Sequence, residues 1–177
     1  MKKTVVTFGL LSGAVSALMM FGTTMVADRI GFERGAIVGY TAMVISFLFV
    51  YFGVRSYRDN VSGGQLSFGR GIAVGLLITG ISCICYVIAW EIVYFNFMPD
   101  FMDKYAAYEV EKMRAAGATQ AAIDAMAKQM AQFKIAYANP LYNSAITFLE
   151  PTPVGLLVTL ISAAALRTKG AAKNAAR

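Results

Sequence analysis

The stretch Ile72 to Phe97, IAVGLLITGISCICYVIAWEIVYFNF, decides the fold. It is 26 residues long, against the ~20 apolar residues a spanning helix needs to cross a bilayer core of about 30 Å. Its one charge is Glu91, beside the sole tryptophan, Trp90, and it leaves through Pro99-Asp100 into the largest polar segment of the chain. A second feature shares its character: basic residues gather at its start and on the other apolar flanks.

Hydrophobic residues make up 58% of the 177-residue chain, more than the roughly 45–50% of ordinary soluble domains. The net charge of +6 is local. Lys2, Lys3, Arg55, Arg58, Arg70, Arg167, Lys169, Lys173 and Arg177 flank apolar runs with Asp59 as the one acid among them. That pattern is membrane orientation and not nucleic-acid binding. Cys83 and Cys85 stand two apart inside an apolar run, so a helix sends them to different faces, and they form neither a disulfide framework nor a metal site. The chain has no histidine, which removes the commonest general base, zinc ligand and pH switch.

Working outward, four spans are expected, at about 4–26, 35–54, 72–97 and 141–166, in one membrane domain covering 1–177. Lys2-Lys3 before Thr4 to Val26 also fits a signal peptide, with Val15-Ser16-Ala17 as a cleavage site, but the apolar run continues through Leu18-Met19-Met20-Phe21 and favours an uncleaved helix. The polar turn at Asp28 to Arg34 makes the first two spans antiparallel neighbours. Between Arg55 and Arg70, Gly63-Gly64 suits positive φ and Ser67 caps the third helix. That loop lacks the spacing of a phosphate-cradling P-loop and reads as a connector facing anionic lipid. Val154 to Leu166 is too short to span, at ~20 Å for ~1.5 Å per residue, so the fourth helix starts near Pro140 or Leu141. It then includes Glu150, Pro151 and Pro153, and the prolines should kink it.

The N-terminus, the Arg55 to Arg70 loop and the C-terminal tail hold nine basic residues and one acid, whereas the Asp28 to Arg34 turn and Pro99 to Asn139 hold seven of each sign. Both termini are therefore expected in the cytoplasm. From about 99 to 139, Phe101, Tyr105 and Tyr108, then Ile123, Met126, Met130, Phe133 and Tyr137, recur at helical spacing on either side of Gly117. These apolar stripes bury most simply against each other in an extracytoplasmic helical hairpin; lying flat on the membrane is the other solution.

The pattern resembles an uncharacterised bacterial membrane family catalogued as domain of unknown function 4199. The resemblance rests on Tyr57-Arg58-Asp59, Gly63-Gly64-Gln65-Leu66-Ser67-Phe68-Gly69-Arg70, Pro99-Asp100-Phe101, and Pro153-Val154-Gly155-Leu156-Leu157 through Leu160-Ile161-Ser162-Ala163. It implies four spans with a polar segment between the third and fourth, in a bacterial inner membrane, and it brings no activity.

Two sets of residues are candidates for a role. Gly9 with Gly13, Gly35 with Gly39, Gly71 with Gly75, and Gly155 are small-residue faces of the kind that let helices pack closely in lipid. A tight intramolecular bundle is their first reading and a homo-oligomer face the second. Glu91, Glu150 and Arg34 form the other set. Counted at ~1.5 Å per residue from the cytoplasmic ends, they lie ~29, ~24 and ~30 Å up, so they are expected to meet as an outer cluster. It is either an ion pair locking the helices or a proton or cation site, since an isolated carboxylate at that depth costs several kcal/mol.

Met98 with Met102 and Met126 with Met130 place thioethers at i, i+4, a pattern that suits Cu(I) but is ordinary in helical packing. No metal or cofactor is expected. The serines in the spans have no base, metal set or phosphate loop beside them, so an enzyme is not expected either. What remains is an all-α integral membrane protein whose partner is the lipid bilayer. Two function classes stay open: a non-enzymatic membrane interaction or scaffold protein, with its small-residue faces or hairpin as the candidate homo-oligomer surfaces, and a small transporter or channel subunit using an intramembrane glutamate near the outer interface.

Overall fold

The computed structural model describes residues 1–168, apart from the side chain of Asp28; the basic tail residues Lys169, Lys173 and Arg177 lie outside the described part. The chain is all α-helical, and four of its helical stretches are long and apolar enough to cross a membrane: Lys2–Ala27, Arg29–Asn60, Phe68–Asn96 and Pro140–Leu166. Well under half of each is buried in the bundle. The outward remainder is apolar, with Leu18, Ile37 and Leu157 more than half exposed, which is the surface a lipid-facing helix presents.

The first two spans are the arms of one helix, α1 (Lys2–Asn60), broken at Gly31 with φ 71° and ψ 172°. The polar turn expected at Asp28 to Arg34 is thus compressed to one non-helical residue. Glycine permits it, because a side chain at that φ and ψ would be strained. The arms run antiparallel and touch at their far ends. The Ser12 hydroxyl donates to the Ser46 carbonyl at 2.9 Å, and Gly53 lies against Phe8.

After the Gly63-Gly64 turn, with φ of 60° and 79°, Ser67 caps α2 (Phe68–Asn96) by accepting from the Arg70 amide. The helices α3 (Phe101–Ala115) and α4 (Gln120–Tyr137) form the hairpin, turning at Gly117 with φ 71°, and Thr119 caps α4. Asn139 then caps α5 (Pro140–Leu149), with Pro140 in its first turn. The fourth span breaks at Glu150-Pro151 and resumes as α6 (Thr152–Leu166). Across the break the Thr152 hydroxyl donates to the Phe148 carbonyl at 2.6 Å, so the prolines interrupt the helix without stranding every polar group.

Two apolar clusters divide the molecule. One, built on Phe47, Val50, Val54, Val74, Ile78 and Leu166, fills the end that holds the N-terminus, the 61–67 loop and Thr168. Thr168 closes that end by donating its amide to the Leu66 carbonyl and accepting the Leu66 amide on its hydroxyl, both at 2.9 Å. The other cluster joins Tyr94, Met102 and Tyr137 to Trp90, Phe101, Phe133 and Ile146. The hairpin stripes therefore do more than cover each other: they seat on the open end of the bundle.

Candidate functional site

The candidate site is the junction between the bundle and the hairpin, and its shape follows from the break at Gly31. The arms of α1 are pinned together near Ser12 and Ser46, and between that contact and the kink at Gly31 both arms line a chamber of about 760 Å³. Met20, Thr23 and Thr24 line it from one arm, and Gly35, Gly39 and Tyr40 from the other. Tyr86 and Trp90 of α2, Phe101 and Tyr105 of α3, Tyr137 of α4, and Ile146 with Glu150 complete the wall. Pockets of this size hold drug-sized ligands.

Phe32, one residue past the break, anchors the hairpin over this chamber. Its ring meets Phe101, Tyr105 and Tyr108 at centroid distances of 5.8, 5.6 and 5.2 Å. Trp90 packs edge-on against Phe101 at 5.0 Å, and Tyr94 against Tyr137 at 5.3 Å. Such ring pairs contribute about 0.5–1.5 kcal/mol each beyond their buried area. On the outer face of the hairpin, Lys134 pairs with Asp103.

A chain of polar contacts fixes the floor. The Trp90 indole N–H donates to the Tyr137 hydroxyl at 2.9 Å, and that hydroxyl lies 3.3 Å from Thr147 Oγ1. Thr147 donates to Asn143 Oδ1 at 3.1 Å, and the Asn143 amide returns to the Tyr137 carbonyl at 3.4 Å. Because Thr147 spends its proton on Asn143, Tyr137 is the donor to Thr147, which gives the chain one direction. Burial pushes the Tyr137 phenol above its usual range, against the opposing hydrogen bond donated by Trp90. Asn143 and Thr147 are buried, and no buried side-chain polar atom among the described residues lacks a partner.

The three charges expected to meet are held separately. Glu91 accepts from Ser144 at 2.9 Å and is not part of the chamber wall. Glu150 accepts on Oε2 from the Tyr86 hydroxyl at 3.1 Å and opens onto the chamber. Arg34 is exposed and forms no ion pair among the described residues. Depth along the helix put the three at one level, but the direction each side chain leaves its helix is set by packing. Both carboxylates found hydroxyl partners across the α2–α5 interface in place of a cation.

The glycines divide in the same way. A Cβ on Gly13 would lie 2.4 Å from that of Cys85, one on Gly9 2.7 Å from that of Ile81, and one on Gly75 2.6 Å from Thr159. Gly71 meets Ala163 at 3.0 Å and Gly155 meets Thr79 at 2.4 Å. These five carry close helix contacts within the chain. Gly35 and Gly39 do not: a Cβ on Gly39 would meet nothing within 4 Å, and both glycines face the chamber. Gly53, pressed on Ile78 and Phe8, belongs with the packing set, although it has no small residue four positions away to announce it.

Tyr86 is likewise unmarked in the sequence, since tyrosine near a membrane interface is common, and the sequence marks Tyr137 only as part of an apolar stripe. Among the described residues there is no group of histidine, cysteine or carboxylate side chains placed to hold a metal. Met102 is buried in the aromatic cluster and Met98 faces the chamber, the packing use of a thioether.

No curated protein and no solved structure matches the chain. The family described as Protein of unknown function (DUF4199) matches residues 7–168. The last three apolar spans and most of the first, the Gly63-Gly64 turn with its Ser67 cap and the Pro153 helix start lie inside that match, and the chain belongs to the DUF4199 family.

Proposed function

We propose that this protein is a non-enzymatic membrane protein that binds a small molecule in the chamber under its hairpin, as a small transporter or channel subunit does. One observation carries the reading: a chamber of about 760 Å³ reaches from the hairpin to Glu150, a carboxylate inside the fourth span. Carboxylates at such depth are rare and mark ligand or ion pathways. The glutamate so placed is Glu150; Glu91 takes the structural part.

The membrane is the bacterial inner membrane, with both termini cytoplasmic and the hairpin outside. In support, Lys2, Lys3, Arg55, Arg58 and Arg70 share one end of the bundle with Arg167. Alkaline phosphatase fused at Gly117 should be active and the same fusion at Ser62 inactive; the reverse pattern inverts the orientation.

The reading is tested by filling the chamber. Gly39→Phe places a ring where a Cβ meets no neighbour, so it should leave thermal stability unchanged. In lipid nanodiscs, acrylamide should quench Trp90 in the wild type and do so at least about threefold less in Gly39→Phe. Native mass spectra should show a small-molecule adduct that the variant lacks. Equal quenching and identical spectra would remove the reading.

A second reading, a membrane interaction protein, is favoured by Ile135, which is 77% exposed on α4. The small-residue faces at Gly9, Gly13, Gly71, Gly75 and Gly155 are already occupied within the chain, which leaves the hairpin as the route to a homo-oligomer. Crosslinking from a cysteine at position 135 should give a dimer if that reading holds, and only monomer if it does not.

A further inference from the structure

We infer that the chamber recognises an organic cation, a tertiary or quaternary ammonium or phosphonium carried on an apolar body. The inference rests on the chamber being a binding site, as proposed above, and specifies the chemistry of its occupant.

The charge comes first. Glu150 sits at the break between α5 and α6, inside the fourth span, with its surface open to the chamber. Tyr86 donates to Oε2, and among the described residues no lysine or arginine pairs with the carboxylate. A single neutral donor leaves most of its lone pairs open, at a depth where an unpaired carboxylate is costly. A ligand cation would offset that cost, whereas a ligand anion would meet Glu150 with no basic group of the spans in the chamber wall to balance it.

The basic groups of the wall, Lys104 and Lys112, come from α3, beyond the spans, and are accompanied there by Glu33 and Glu109. Lys104 pairs with Asp100 at 3.1 Å, and Lys112 lies over the Tyr108 ring at 5.7 Å. Charge at the hairpin end is thus mixed, and at the Glu150 end it is negative.

The walls are the second observation, independent of the charge. Tyr40, Tyr86, Trp90, Phe101 and Tyr105 line the same space. Aromatic faces attract a cation through their quadrupole, more strongly where the site is shielded from water. They also accept an apolar body that a hydrated metal ion or proton would not need. A carboxylate beneath aromatic walls, in a space of drug-sized volume, selects for a bulky, weakly hydrated cation over an inorganic one.

The chain carries its own reporter, because Trp90 is its only tryptophan and lines the chamber. Wild-type protein in nanodiscs would be titrated with tetraphenylphosphonium and with its isosteric anion, tetraphenylborate, following Trp90 fluorescence and, independently, heat by calorimetry. The expected result is saturable binding of the cation alone, weakened at least about tenfold in Glu150→Gln and retained in Glu91→Gln, whose parent residue lies outside the wall. Thermal unfolding and unliganded Trp90 emission of Glu150→Gln that match the wild type guard against a folding defect in that variant. Equal binding of both ions with no loss in Glu150→Gln would overturn the cation assignment and leave a plain apolar chamber. No saturable binding of either ion, with Gly39→Phe indistinguishable from wild type, would overturn the chamber reading as well.

Discussion

Single residues at this junction act through geometry that their identity does not reveal. Tyr137 is one of nine tyrosines, but its hydroxyl is the acceptor for Trp90 and the donor that starts the Thr147–Asn143 chain. Tyr137→Phe therefore leaves the half-buried indole N–H without its partner and should lower stability by about 1 kcal/mol. Thermal unfolding in detergent and a shift in Trp90 emission would check it. Glycine gives a paired comparison. Gly13→Val, pressed on Cys85, should destabilise by about 1–3 kcal/mol or more through overpacking. Gly39→Ala, with open space around it, should gain up to about 0.5–1 kcal/mol from helix propensity. Equal effects in the two melting curves would show that the helices of the bundle do not pack as described.

At the scale of elements, the break in α1 makes the site possible. Both arms are good helix formers, and a continuous 59-residue rod would be far longer than a membrane is thick. Gly31 converts that rod into two antiparallel arms, and the position of Phe32 directly after the turn ties the hairpin to the fold-back. Gly31→Ala should cost about 1–3 kcal/mol, because its φ of 71° with ψ of 172° is strained for any side chain. Gly22→Ala, inside the first arm and with nothing within 4 Å, should not be destabilising by the same thermal assay. The Lys134–Asp103 pair makes the opposite case. Both side chains are about half exposed, so Asp103→Asn should change stability by less than about 1 kcal/mol. The aromatic seat beneath the hairpin carries that attachment.

The whole molecule has two unlike halves. The end with the N-terminus and Thr168 is closed: small residues bring α1, α2 and α6 into direct contact, and hydroxyls such as Ser12 with Ser82 at 2.8 Å and Thr79 with Thr159 at 3.1 Å satisfy one another between helices. The hairpin end holds the chamber, which aromatic rings of α2, α3 and α4 line without filling. The chamber lies at the hairpin half, and the Trp90 titrations measure whether it takes a ligand.

The sequence alone determined the number and order of the spans, the start of the fourth helix at Pro140, the turn at Gly63-Gly64, the Ser67 cap and the family. These follow from apolar run length, turn chemistry and local capping, all of which act over a few residues and along one dimension. Tertiary structure decided which glycines pack, that Glu91 and Glu150 take separate hydroxyl partners, that Arg34 joins neither, and that a chamber opens at Glu150. The physical reason is rotation: residue count fixes depth along a helix axis, but the direction a side chain leaves it depends on how neighbouring helices pack and where α1 folds back.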